Sequence, residues 1–381
     1  MIIFVIFLSS IIIFTHVVLC IGILRARILE KVLKSMVLRV EDEAPTVSVV
    51  IPARDEEKNL PRLLKSLERQ SYSDFELILI DDRSSDSTPS IMKDFGRKYP
   101  GKTKIVTLKE NLGLENPKQF ALGEGIKEAT GDIILFTDAD CMVPPRWVEY
   151  YRNCFKNKLT GLAFGTIYTG GWDSYLERYQ IFDHLFRFYY NVACAGLNMA
   201  TGVYGNNMAV RREALIEIGG YETLEYSPTE DAALLAAVRE RSHYKINALT
   251  SPDITVITAP QKDWRSLVLQ EVRWSKGAFF SSDIKTVFGY STVMFYLISG
   301  TLSLFAGYFY PLLFLISLSA FVSMFSVAFC GALLSGMPLV KYRCFLPVYI
   351  IFSMFFYFYI DLLALSGVPI KWKGGKLKSK K

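Results

Sequence analysis

The chain has 381 residues, of which 51% are hydrophobic and 21% are charged, and its formal net charge is +6. It is too apolar for an average soluble protein. Much of the positive charge lies in a C-terminal tail with six lysines rather than in a basic stripe with aromatic residues, so nucleic acid is not expected as a partner. The six scattered cysteines form no CxxC pair and there are only three histidines, which argues against a zinc site, a disulfide framework and histidine-based catalysis.

The first predicted element is a transmembrane helix over residues 1–24, which are almost entirely apolar and long enough to span a bilayer. A cleaved signal peptide is the alternative, but no basic residue precedes the apolar run and no clear small-residue cleavage site is present. Basic residues follow it instead, in a linker over 25–43. By the positive-inside rule, Met1 is expected outside and the following domain in the cytoplasm.

Short apolar runs alternate with helical spacings through residues 44–260. The predicted strands are 47–52, 75–80, 104–108 and 133–136, and the predicted helices are 59–70, 87–95 and 119–129. This alternation predicts an α/β fold with a doubly wound, mostly parallel sheet. Ligands bind such sheets at the carboxyl ends of the strands.

Two acidic motifs follow predicted strands. Asp138 and Asp140 follow the strand 133–136, and two carboxylates on one turn can bind Mg²⁺ or Mn²⁺ while leaving positions for diphosphate oxygens. Asp82 follows the strand 75–80 and is expected to accept hydrogen bonds from the base or ribose of a nucleotide. The neighbouring Asp86 or Ser87 is interpreted as the cap of the next helix.

Three further residues are assigned to the same nucleotide region. Pro52 and Asp55 end the first strand and are therefore expected near the nucleotide. Lys118 precedes a predicted helix and is a candidate contact for phosphate or base. A solvated lysine is an equally open interpretation of Lys118.

The segment Thr229-Glu230-Asp231 precedes an apolar helix predicted over 232–238. One interpretation is structural, with Thr229 as the N-cap and the acids favoured by the helix dipole. The other makes Asp231 the general base that takes the proton from an acceptor hydroxyl. The two roles are compatible because a helix terminus fixes the position of the side chain.

Gln270, Arg273 and Trp274 lie together on one predicted helical turn, in a segment over 261–290 that is expected to form an interfacial helix. Arg273 is a candidate ligand of diphosphate, and Trp274 can stack on a sugar ring. The aromatic segment 173–197 is either a second helix lying against the membrane or a core helix.

The C-terminal region 291–368 is predicted to form transmembrane helices, since its apolar segments suffice for three spans. Asp361 is costly in lipid and should face protein or water. Three crossings would place the basic tail over 369–381 outside. An even number of crossings after the catalytic domain, with the tail in the cytoplasm, is therefore predicted.

Taken together, the motifs VVIPARDEE, LIDDRSSDST, DIILFTDAD, TED and QEVRW resemble the family 2 glycosyltransferases with a GT-A fold, over roughly residues 47–274. The QxxRW form is similar to the membrane synthase branch, which includes cellulose, chitin and hyaluronan synthases and ceramide glucosyltransferase. The resemblance implies inverting transfer from a nucleotide sugar, usually UDP-linked. One departure is Arg83, which stands where glycine is common.

The resemblance also implies roles for individual residues. They are Asp82 for the nucleotide, Asp138 and Asp140 for the divalent cation (Asp138 also contacting the nucleotide sugar), Asp231 as the base, Arg273 for the diphosphate, and Asn206, Glu230, Gln270 and Trp274 for the acceptor. The membrane part is small beside that of cellulose synthase, which leaves room for a single-sugar transfer to a lipid.

The sequence therefore predicts a multi-pass membrane glycosyltransferase, expected in a bacterial inner membrane with its catalytic domain in the cytoplasm. Its expected partners are a nucleotide-sugar donor, membrane lipids, and a lipid or membrane-associated glycan that offers a hydroxyl. Two alternatives stay open: a processive polysaccharide synthase of the same family, and a metal-dependent nucleotidyltransferase.

Overall fold

A computed structural model of the chain describes residues 1–37, 45–109, 116–334, 345–366, 370–372 and 375–377. It comprises two compact units. The helical unit is formed by Met1–Arg25, Gly171–Thr201 and Pro260–Lys381, and the α/β unit by Ala26–Gly170 and Gly202–Ala259. Parts of the predicted linker 25–43 and of the predicted tail 369–381 lie outside the described residues.

The helices are α1 (Ile2–Val37), α2 (Leu60–Leu67), α3 (Thr88–Lys98), α4 (Pro117–Glu128), α5 (Trp147–Cys154), α6 (Tyr175–Gly196), α7 (Arg212–Glu217), α8 (Glu230–Arg241), α9 (Trp264–Phe279), α10 (Ile284–Ala306), α11 (Phe314–Leu334) and α12 (Leu346–Leu365). The strands are β1 (Val47–Ala53), β2 (Glu76–Asp82), β3 (Thr103–Leu108), β4 (Ile133–Phe136), β5 (Cys141–Met142), β6 (Thr160–Gly165), β7 (Ile167–Thr169), β8 (Met208–Arg211), β9 (Lys245–Leu249), β10 (Val256–Thr258), β11 (Ile370–Trp372) and β12 (Gly375–Leu377).

The α/β unit is built on a seven-stranded sheet in the order β3-β2-β1-β4-β8-β6-β9. Strands β1 to β4 are parallel and β9 is parallel to β6, whereas β8 runs antiparallel to both β4 and β6. The predicted α/β class with a mostly parallel sheet is thus confirmed, with one reversed strand that the sequence did not indicate. A second sheet, β5-β10-β7, has three short strands.

Continuous apolar runs explain the central strands, because β1 and β4 lie inside the sheet with almost every residue buried. Helix α4 packs closely on this sheet at Gly125, where a Cβ atom would lie 2.4 Å from Cδ1 of Ile80. Several predicted boundaries shift by a few residues. Helix α2 is shorter than the predicted 59–70, β2 extends through Asp82, and α8 begins at Glu230 rather than at 232.

The helical unit contains α6 and α9 to α12 together with the first part of α1. Among the described residues, four helical stretches are long and apolar enough to cross a membrane: Ile2–Ser35, Ile284–Ala306, Pro311–Gly331 and Leu346–Leu365. Three of the four follow the α/β unit in the chain. The predicted even number of crossings therefore requires one of those three not to cross, and the topology stays a prediction.

Polar and aromatic contacts join the helices of this unit. Ser317 on α11 donates to the carbonyl of Gly300 on α10 (2.7 Å), and Thr301 on α10 donates to the carbonyl of Met354 on α12 (3.0 Å). Helix α6 is mostly buried, and its Tyr179 ring lies 5.1 to 5.8 Å from rings on α9 and α12. The core-helix interpretation of the aromatic segment 173–197 is therefore the one that the structure supports.

Candidate functional site

The loops after β1 and β2 are held together by the side chain of Asp55. Its Oδ1 accepts hydrogen bonds from the backbone N–H (2.8 Å) and the hydroxyl (3.1 Å) of Ser85, and its own N–H donates to Oγ of Ser84 (3.1 Å). Asp55 has a positive φ of 55°. Its carboxylate thus stabilises the two loops that are expected to bind the nucleotide. Pro52, near the end of β1, belongs to the same region.

Asp82 ends strand β2 and is nearly buried, at 6% exposed. The guanidinium of the adjacent Arg83 donates to Oδ1 of Asp82 from Nε at 2.8 Å and from Nη2 at 2.7 Å. Arg83 has a positive φ of 59°, a conformation that glycine adopts more easily. Arg83 therefore accepts this backbone geometry and supplies Asp82 with a counter-ion. The predicted cap falls on Ser87, while Oδ1 of Asp86 accepts from the N–H of Thr88 (2.9 Å).

Asp138 and Asp140 share a tight turn between β4 and β5, closed by a hydrogen bond from the N–H of Cys141 to the carbonyl of Asp138 (3.0 Å). Burial and the nearby carboxylates of Asp138 and Glu56 raise the pKa of Asp140 to about 6. Excess negative charge at this turn favours a cation. No group of three or more His, Cys, Asp and Glu residues placed to hold a metal ion occurs in the described part of the chain.

These two carboxylates fit Mg²⁺ or Mn²⁺ if the remaining ligands come from substrate oxygens, since both ions take oxygen ligands and are commonly held by one or two carboxylates plus phosphates. Such a cation would neutralise charge on a leaving diphosphate.

Lys118 is held among the acids rather than solvated. Its Nζ lies 2.8 Å and 3.1 Å from the two carboxylate oxygens of Asp138, and 3.2 Å from Oε1 of Glu230. These carboxylates raise the pKa of Lys118 well above its usual range, against the effect of burial. Lys118 therefore joins the strand-end acids to the Thr229-Glu230-Asp231 segment.

Glu230 and Asp231 form the first turn of α8, where the helix dipole favours negative charge. Oδ2 of Asp231 accepts from the N–H of Gly205 (2.8 Å), and its Oδ1 accepts from the N–H of Ala232 (2.8 Å). Burial first, and the Glu230 carboxylate second, raise the pKa of Asp231 to about 6. Thr229 precedes the helix as expected, but its side chain makes no capping hydrogen bond.

Position 205 requires glycine because the Cβ atom of any other residue would crowd Asp231. A Cβ atom at this position would lie 3.0 Å from Cβ and 3.1 Å from Oδ2 of Asp231. The following Asn206 donates from Nδ2 to Sγ of Cys141 (3.5 Å), while its Oδ1 is buried and accepts no hydrogen bond from the residues that the structure describes. Asn206 thus offers an acceptor atom close to Cys141, the residue that follows Asp140.

Asn207 has a structural role. It is fully buried, and its Oδ1 accepts from Nε1 of Trp147 (2.8 Å) and the hydroxyl of Tyr151 (2.9 Å). Its Nδ2 donates to the carbonyls of Thr166 (2.7 Å) and Ile254 (2.8 Å). This amide links α5 and β8 to the chain around the second sheet, and so supports the segment that carries Gly205.

The residues Gln270, Arg273 and Trp274 belong to the helical unit, on α9. They are half-buried and share one helix face by their i, i+3 and i+4 spacing. Glu271 between them is buried instead and is paired with Arg187 of α6. Cζ of Arg187 lies 5.2 Å from the centroid of the Trp274 ring.

Sequence reasoning missed this second charge cluster. Arg187 also pairs with Asp183 (Nε to Oδ2, 2.9 Å), and the hydroxyl of Tyr357 on α12 donates to Asp183. Asp361 lies at 1% exposure and accepts from the hydroxyl of Tyr290 (3.2 Å), which agrees with the expectation that it faces protein or water. The i, i+4 spacing of Asp183 and Arg187 was the available signal.

The fold and the acid cluster at the strand ends define an α/β domain of the GT-A type. Residues 48–219 match the family described as Glycosyl transferase family 2. The chain therefore contains a glycosyl transferase family 2 domain, as its sequence motifs had indicated.

Three curated relatives illustrate the similarity. The chain is 29% identical over 245 residues to the "Probable glycosyltransferase YdaM" of Bacillus subtilis, covering 62% of this chain and 56% of the relative. It is 24% identical to a "Beta-monoglucosyldiacylglycerol synthase" of Nostoc, covering 63% and 50%. It is 32% identical to an "Undecaprenyl-phosphate 4-deoxy-4-formamido-L-arabinose transferase" of Pseudomonas fluorescens, covering 35% and 38%. The chain thus spans about half or less of the length of these relatives.

Among solved structures, the chain resembles "Mannosyltransferase PcManGT from Pyrobaculum calidifontis in complex with GDP-Man and Mn2+". The TM-score is 0.52 at 17% identity, and the match covers 93% of this chain and 99% of that protein. This likeness establishes the fold.

Proposed function

We propose that the protein is a membrane-bound inverting glycosyltransferase that moves a sugar from a nucleotide sugar to a hydroxyl of a lipid or membrane-associated glycan. One observation carries the proposal: Lys118 joins Asp138 to Glu230, so a donor-binding acid and a candidate base lie in one cluster. A donor held at Asp138 would thus lie near Asp231, whose carboxylate also acts electrostatically on Lys118.

In this mechanism the nucleotide lies along the loops after β1 and β2, near Asp82. Mg²⁺ or Mn²⁺ at Asp138 and Asp140 would balance the charge of the diphosphate when bound. Asp231 takes the proton from the acceptor hydroxyl as its oxygen attacks the anomeric carbon. The C–O bond to the diphosphate breaks as the new glycosidic bond forms on the opposite face, which inverts the configuration.

The environment of Asp231 favours a hydroxyl acceptor over a phosphate acceptor. Hydroxyl attack needs a base, and a carboxylate with its pKa raised to about 6 takes a proton more readily than an ordinary aspartate does while staying ionised at neutral pH. A phosphate acceptor carries no proton that must leave.

The test uses the full chain in detergent with Mn²⁺, a panel of UDP- and GDP-sugars, and a membrane lipid extract. Release of a nucleoside diphosphate together with a labelled lipid of inverted configuration that survives mild acid, unlike a glycosyl phosphate, is the expected result. Asp231→Asn should lower transfer by about 10²- to 10⁴-fold with donor binding kept. The control Asp94→Asn changes an exposed carboxylate on α3.

Four results would count against the proposal. Release of a sugar phosphate with transfer of the nucleoside monophosphate would indicate a nucleotidyltransferase, and wild-type turnover in Asp231→Asn would remove the base. A product with retained configuration would exclude one-step displacement. A ladder of products in place of a single labelled lipid would indicate a processive synthase.

A further inference from the structure

The ammonium of Lys118 stands where a divalent cation would be expected. Its Nζ contacts both carboxylate oxygens of Asp138, at 2.8 and 3.1 Å. A divalent cation bound through the same two oxygens would lie within about 2.0–2.6 Å of them. Ammonium and cation therefore compete for one position at Asp138.

The start of helix α4 is anchored, so only the lysine side chain is free to change place. The helix is capped by Asn116, whose Oδ1 accepts from the N–H of Gln119 (3.1 Å). Nδ2 of Asn116 donates to the carbonyl of Ser227 (2.8 Å) and lies 3.3 Å from Oε2 of Glu230. The flexible four-carbon stem of Lys118 can swing while its backbone stays fixed.

We propose that Lys118 is a built-in counter-ion, which occupies the cation position at Asp138 in the donor-free protein and transfers to the diphosphate when the donor binds. The inference rests on the proposed function, because it needs a diphosphate-bearing donor at this site.

Charge balance explains why cation and donor binding would then depend on each other. A cation that binds alone must displace the ammonium from Asp138 and Glu230, and the ammonium has no new partner. A cation that binds together with a nucleoside diphosphate faces no such penalty, because the diphosphate oxygens receive Lys118. Each ligand should therefore tighten the binding of the other, as reciprocal coupling requires.

The experiment measures Mn²⁺ binding to the full chain in detergent from the electron paramagnetic resonance signal of free Mn²⁺, with and without UDP or GDP. In the wild type the nucleotide should tighten Mn²⁺ binding by about tenfold or more. Lys118→Met should tighten Mn²⁺ binding to the nucleotide-free protein by about tenfold and reduce the coupling by the same factor. The control Lys127→Met removes a lysine of the same helix that pairs with Glu124, and both quantities should stay at wild-type values.

Unchanged or weaker Mn²⁺ binding in nucleotide-free Lys118→Met would overturn the inference, and so would coupling equal to that of the wild type. Size-exclusion chromatography and circular dichroism establish that the variant is folded, and Lys118→Gln replaces it if it is not. If the wild type transfers sugar but the coupling between Mn²⁺ and nucleotide is the same in Lys118→Met as in the wild type, only the counter-ion role fails. If the wild type binds neither Mn²⁺ nor nucleotide, the proposed function fails with it.

Discussion

Replacing Glu230 by glutamine should shift the acid side of the pH–rate profile to lower pH. Asp231 must be ionised to act as a base, and its pKa is raised to about 6, first by burial and next by Glu230. The substitution leaves the burial unchanged but removes the neighbouring negative charge. The pKa of Asp231 should therefore move part of the way toward its ordinary value of 3.8.

The size of the effect follows from the ionised fraction. With a pKa of about 6, about a tenth of Asp231 is ionised at pH 5 and about nine-tenths at pH 7. In the wild type, kcat/KM should thus rise about tenfold between pH 5 and pH 7. In Glu230→Gln the rise should be smaller, because more of the base is already ionised at pH 5.

The assay must separate Asp231 from Asp140, whose pKa is also raised to about 6. Cation binding requires the ionised form of its ligands, so a limb caused by Asp140 moves to lower pH as Mn²⁺ is increased. We therefore expect the acid limb of the pH–rate profile, if it is set by Asp231, to lie at the same pH at two Mn²⁺ concentrations. The control Glu240→Gln changes an exposed residue of the same helix. A limb that follows Mn²⁺, or that is identical in Glu230→Gln and the wild type, would refute the reasoning.

Three other substitutions test the supports of the site. Gly205→Ala would crowd Asp231, whose Oδ2 would lie 3.1 Å from the new Cβ. In steady-state kinetics kcat should therefore fall by about tenfold, while the donor affinity measured by calorimetry stays unchanged. An unaltered kcat would contradict this prediction. Asn207→Ala leaves the buried Nε1 of Trp147 without its acceptor and removes the hydrogen bonds to the carbonyls of Thr166 and Ile254. It should destabilise the fold by at least about 2 kcal/mol, seen as a lower thermal unfolding midpoint. Arg187→Met leaves the buried carboxylates of Asp183 and Glu271 without their cation, so the free energy of unfolding should fall by about 3–5 kcal/mol. Part of this loss should be recovered in the double variant with Glu271→Gln. A double variant no more stable than the single variant would exclude the ion pair as the cause.

Much of the secondary structure could be predicted because it depends on local patterns. The apolar run 133–136 predicted β4 to the residue, and continuous hydrophobic stretches located the candidate spans. Boundaries set by hydrogen bonds were less predictable, as at β2, which pairs with both of its neighbours as far as Asp81 and with β3 as far as Asp82. The reversal of β8 had no local signal, since a short apolar strand reads alike in either direction.

The candidate site shows the same division between what local patterns predict and what only tertiary packing decides. Motif order placed Asp138, Asp140 and Asp231 among the functional candidates, because parallel strands end at a common edge and acids favour a helix N-terminus. Only the folded chain decided that Lys118 contacts both Asp138 and Glu230, that Asn207 is a structural amide, and that Arg187 pairs with Glu271. Hydrophobic spacing is a property of neighbouring residues, whereas these contacts join segments far apart in the chain, and so they exist only once the strands and helices have packed.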